Sequence, residues 1–219
     1  MTPDYERAAA LAAETLVRFG ISSAPVAPLH ILKQLPGVLV LSYETVSNDI
    51  QQSRQCVIDA YGEHNQDAFT AVKCDSGKTL YLVTYNQRLP FFLTQRALAR
   101  ELGHIMLHHD GSRPEEVRNE EARAFAHHLL VPRALVHAVT AAGIRFTSEV
   151  LNNLTGCNDY CVSCMRRLPP VHVDPALNRA VRDLMAPYIL NFTEYQRHSA
   201  HTDESALADL GNYMDGYEE

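Results

Sequence analysis

Arg100-Glu101-Leu102-Gly103-His104 sets a glutamate and a histidine three residues apart, inside a run from 97 to 109 that is otherwise mostly small or apolar. On a helix that spacing puts Glu101, His104 and, one turn further, His108 on one polar stripe beside Arg100. A His-Glu-x-x-His helix uses such a stripe to bind Zn²⁺ through two histidines, while the glutamate activates the metal-bound water for hydrolysis. Here Arg100 stands in the place of the first histidine. A guanidinium has N–H donors only and keeps its charge to a pKa above about 12, so it offers a divalent cation a positive charge where a lone pair is needed. Metal binding is then either lost at this position or completed by other side chains. His108, His127 and His128 are the alternative ligands within reach along the chain.

The elements that must hold these residues are readable from pattern. Residues 114–130 predict a second helix, with Ser112 as its cap candidate, Pro114 and Glu115 in its first turn, and Glu120 and Glu121 inside it. A glutamate on a following helix is the usual third zinc ligand when no further histidine is supplied locally. Arg100 is equally suited to fork onto Glu121 and neutralise the charge that a metal would balance. Ahead of the polar stripe, 38–43, 55–61, 68–73 and 80–85 read as four strands with short connections, which predicts an antiparallel sheet. The chain opens with a helix carrying Ala8, Leu11, Ala12, Leu16 and Phe19 at helical spacing, and a short helix follows over 28–35. An edge strand beside the polar helix would suit an extended peptide.

Two blocks together resemble the ImmA/IrrE metallo-endopeptidases, found on mobile elements and prophages and in stress-response operons. The first block runs from Ala99 to His108; the second is Glu121-Ala122-Arg123-Ala124-Phe125-Ala126 with Leu129-Leu130-Val131-Pro132. The second is similar to the family's Glu-Ala-Asn-x-Phe-Ala-x-x-Leu-Leu-Met-Pro. Tyr85-Asn86 and the arginine-containing run after it are similar to the family's entry into the helix. The resemblance implies zinc as cofactor, His104 and Glu121 as ligands and Glu101 as general base, with Arg100 departing from the first ligand. It also implies a protein substrate or partner, typically a helix-turn-helix repressor. A catalytically inactive, peptidase-derived binding module is the alternative that Arg100 raises.

The expected fold class is α+β: a small antiparallel sheet with zincin-like helices, followed by a helical C-terminal region. The expected organisation is a peptidase unit over 1–132, a helical region over 133–200 and an acidic tail over 201–219. Candidate helices in the rear are 134–142, 148–154, 160–168 and 177–198, the last containing Pro187. The segment around Leu151, Leu154 and Arg167 loosely resembles a helix-turn-helix. Cys157-x-x-x-Cys161-x-x-Cys164, with His172 nearby, has the spacing of a second metal site, against the plainer reading of buried thiols. Cys56 and Cys74 read as core residues of strands.

The net charge of −7 argues against direct nucleic-acid binding, because phosphate contacts need concentrated Lys and Arg. No apolar run approaches the ~18 residues of a membrane span, and no basic-then-apolar leader opens the chain, so a cytoplasmic protein without a membrane partner is expected. The five cysteines then read as reduced thiols.

Overall fold

A computed structural model describes residues 1–60, 67–75, 77–145, 147–158 and 167–215, with backbone alone at 75 and 200–215. Helix α1 (Tyr5–Arg18) starts where the Asp4 side chain accepts the Arg7 N–H, a cap that satisfies one of the orphan donors of the first turn. Then come α2 (Pro28–Gln34), strand β1 (Val38–Ser42), α3 (Tyr43–Asp49), α4 (Arg54–Ala60), β2 (Ala68–Asp75) and β3 (Lys78–Tyr85). Helices α5 (Phe91–Met106), α6 (Glu115–Leu130), α7 (Arg133–Ala141), α8 (Ser148–Thr155) and α9 (Pro175–Asp215) complete the described chain.

The α+β class stands, with two corrections to the sheet. It has three strands in the order β1-β3-β2, and it is mixed: Val40 of β1 lies parallel to Val83 of β3, while Thr70 of β2 lies antiparallel to it. The α3 and α4 helices lie between β1 and the β2-β3 hairpin, and they supply the crossover that a parallel pairing requires. The segment 55–61 was expected as a strand, but α4 occupies it up to Ala60. Ser53 Oγ accepts the Cys56 N–H at 3.1 Å, and this cap outweighs the weak β preference of Val57-Ile58. Those two residues bury against Tyr43 in a small satellite cluster. Cys56 and Cys74 are exposed, not core, while Cys157 is buried.

One continuous apolar core joins α1, α2, α5, α6, α7, α8 and α9. Gly103 is its closest crossing: a Cβ there would meet the Ala122 carbonyl and Phe125 ring at 3.1 Å, so the missing side chain is what lets α5 lie directly on α6. Helix α9 contributes Val181, Met185, Ile189 and Phe192 to the same core, and its Tyr188 hydroxyl donates to the Leu154 carbonyl. Its backbone continues through Pro187 as far as Asp215. Among the described residues no helix is long and apolar enough to cross a membrane. Cys161, Cys164 and most of the 160–168 helix candidate lie outside the described residues, as does the rear half of the helix-turn-helix-like pair.

Candidate active site

Helix α5 delivers Arg100, Glu101 and His104 to one wall of a cleft of about 750 Å³, and Thr70 and Tyr81 of the sheet form the facing wall. Glu101 is only 4% exposed. Arg100 Nε and Nη2 donate to its Oε1 at 3.0 and 2.9 Å, and Thr70 Oγ1 donates to its Oε2 at 2.8 Å. Burial pushes the Glu101 carboxyl above its usual range, and the Arg100 charge and the Thr70 and Arg100 hydrogen bonds only partly offset this. Arg100 Nη2 also donates to the Ala68 carbonyl at 2.9 Å. Arg100 is therefore bound to its neighbour and to β2; the expected fork onto Glu121 is not formed.

The far end of α5 explains the rest. The His108 N–H donates to the Ile105 carbonyl at 3.1 Å and the His109 N–H to the His104 carbonyl at 3.0 Å. With His108 in the left-handed region at φ +52°, these two bonds form a Schellman ending, in which the chain reverses after the last turn. His108 is thrown outward and is exposed. His109 swings back inward, with a side chain only 2% exposed.

His104 Nδ1 lies 2.9 Å from His109 Nδ1, and His109 Nε2 lies 2.9 Å from Glu121 Oε2. A carboxylate only accepts, so His109 donates from Nε2 and accepts at Nδ1 from the Nδ1–H of His104. Burial drives His104 down to about 3, helped by His109, Arg100 and Arg118, so its ring is neutral. The His109 ring is lowered too: burial outweighs the pull of Glu121.

Glu121 is 1% exposed and fully engaged. Arg113 Nη1 donates to both of its oxygens at 2.6 and 2.7 Å, and the Asp4 backbone N–H donates to Oε1 at 2.8 Å. Burial raises this carboxyl, but Asp4, His109 and Arg113 together outweigh burial and hold it below the usual range. Glu101 and His104 thus line the cleft directly, and Glu121 is reached only through His109.

His109, Arg113, Thr70 and Asp4 were missed from the sequence. The one available signal was His109 itself, in a His-His-Asp run directly after the helix. The alternative ligands lie elsewhere. His108 faces outward, His127 lines a separate cavity, and His128 Nε2 is buried with no hydrogen-bond partner among the described residues. Burial lowers the last two rings to about 4. Ser112 does not cap α6 either: its hydroxyl bonds Asp110, and Pro114 holds the cap position without a side-chain bond.

Residues 62–155 match the IrrE N-terminal-like peptidase domain. The match covers β2 to α8 and includes Arg100, Glu101, His104 and Glu121, which supports the ImmA/IrrE resemblance and a metallopeptidase-like kind. No curated protein and no solved structure matches the chain. The donor set of this IrrE-like stretch does not fit the zinc ion that the resemblance implies. Arg100 contributes no lone pair, and the Glu121 oxygens are held by Arg113, His109 and Asp4. Among the described residues no three His, Cys, Asp or Glu side chains are grouped to hold a metal.

Proposed function

We propose that this chain is a peptidase-derived binding protein, which keeps the cleft of a metallopeptidase-like fold and engages a polypeptide partner there without hydrolysing it. One arrangement carries the reading: the two carboxylates expected to serve catalysis and metal binding are each committed to an arginine, Glu101 to Arg100 and Glu121 to Arg113. A base tied to a guanidinium and a ligand tied to another are poor partners for a zinc-bound water. The cleft itself persists, with the β2 residues Phe69, Thr70 and Val72 on its wall. A helix-turn-helix repressor is the partner that the ImmA/IrrE resemblance implies.

Glu101 and His104 line one cleft, and His109 links His104 to Glu121; this favours a second reading, a zinc endopeptidase that admits metal once His109 and Arg113 withdraw. Two measurements separate the readings. Elemental analysis after equilibration with zinc should find far less than one ion per chain, and unfolded casein should survive incubation with the protein. A tiled peptide array of helix-turn-helix repressor sequences should show retained but uncut peptides. Stoichiometric zinc together with casein cleavage would overturn the first reading in favour of the second.

A further inference from the structure

Behind the cleft lies a smaller cavity of about 340 Å³, bounded by α1, α5, α6 and Arg167-Leu168. Four guanidinium groups reach it, those of Arg96, Arg100, Arg123 and Arg167, against two carboxylates, Asp67 and Glu120. Three of the arginines have anionic neighbours: Arg96 lies 3.5 Å from Asp67, Arg123 2.7 Å from Glu120, and Arg100 2.9 Å from Glu101. Arg167 has no ion-pair partner among the described residues, so the described part of the lining carries an excess of positive charge.

The second observation is His127. The residue is 8% exposed, it borders this cavity, and no group among the described residues hydrogen-bonds its ring. An imidazole at this wall can bond a ligand that enters the cavity, donating from one ring nitrogen and accepting at the other. Burial first, then Arg96 and Arg123, lowers the ring to about 4. It is neutral near pH 7, with one N–H to donate. The Tyr5 hydroxyl is a further donor on the rim.

We infer that this cavity is a binding site for a small oxyanion of the phosphate class, gripped by Arg123 and Arg167 and hydrogen-bonded by His127. Guanidinium forks match tetrahedral oxyanions in geometry and charge. The volume admits a free ion or the phosphate of a small ester. The site adjoins the cleft and shares Arg100 and Arg123 with it, so a bound anion would sit beside the guanidinium that holds Glu101.

The test uses the full chain with inorganic phosphate as probe and chloride at equal ionic strength as control. Titration calorimetry should give saturable phosphate binding, and the thermal midpoint should rise with phosphate but not with chloride. The double variant Arg123→Gln, Arg167→Gln should lose about tenfold or more in phosphate affinity while keeping its midpoint in chloride. Arg123 is 58% exposed and Arg167 is exposed, so neither holds the core together. In a second arm, phosphoserine binding at least as tightly as phosphate assigns the site to esters, and binding of inorganic phosphate alone assigns it to the free ion. No saturable binding of either, or unchanged affinity in the double variant, overturns the inference.

Discussion

His109 Nε2 donates to Glu121 Oε2 across 2.9 Å, and its other ring nitrogen lies 2.9 Å from His104 Nδ1. The imidazole thereby links the two residues that the ImmA/IrrE resemblance would give to a metal. With Arg113 on the same carboxylate, hydrogen bonds and one guanidinium join α5 to α6 where a cation would otherwise sit. The Asp4 N–H extends the network to the start of α1, and Arg7 adds a bond to the Leu107 carbonyl at 3.1 Å.

That network should be structural, and its members unequal. Arg113→Ala leaves a carboxylate that is 1% exposed without its cation and should cost roughly 3–5 kcal/mol, the range for breaking a buried pair. His109→Ala leaves Arg113 in place and should cost about 2 kcal/mol, from a cavity and an unpaired His104 donor. Urea denaturation of both variants checks the order. If each falls within the roughly 0.5 kcal/mol typical of surface changes, the network does not hold the helices.

Zinc binding should not return with one substitution. Arg100→His supplies the missing lone pair and frees Glu101, yet Glu121 remains held by Arg113 and His109. The single variant should bind zinc weakly, and Arg100→His with Arg113→Ala should bind it about tenfold more tightly or better, since the third ligand, a carboxylate oxygen of Glu121, is released. Chelator competition measures the difference. Equal affinities for single and double variants would mean that Arg113 is no obstacle.

Gly103 makes a third case. A methyl group there meets the Ala122 carbonyl and the Phe125 ring at 3.1 Å, against backbone that has little room to yield. Gly103→Ala should therefore destabilise by about 1–3 kcal/mol through overpacking, despite alanine's better helix propensity. A gain in thermal midpoint would show that α5 and α6 can separate freely.

How much of this was legible follows from how far each interaction reaches along the chain. Helices α5 and α6 carry apolar positions at regular spacing, and their stripe put Glu101 and His104 on one wall correctly. The stripe was carried past Met106, however, and His108 was preferred to His109. Nothing local announces a left-handed histidine, because glycine is the usual residue at that position. The grip of Asp4 on Glu121 spans 117 residues of sequence and leaves no periodic trace. Arg100 shows the same limit. Its chemistry was readable, but its choice of Glu101 and the Ala68 carbonyl over Glu121 depends on where β2 lies.

His127 supplies a pH test. Its ring falls from the ordinary 6.5 to about 4 because of burial, then Arg96 and Arg123. The unfolded chain therefore takes up this proton more readily than the folded one. The contribution is fully present above pH 6.5 and is lost as pH falls toward 4. Between about pH 7.5 and pH 5 the loss from this one group is roughly 2 kcal/mol. His104 and His128 are lowered by burial as well and steepen the same fall. His127→Gln keeps a polar side chain that does not titrate, so its stability measured by urea denaturation at the two pH values should fall less than that of the parent chain. Identical slopes would mean that the His127 ring takes up its proton in the folded state as easily as in the unfolded one, and that the wall it forms is open to water.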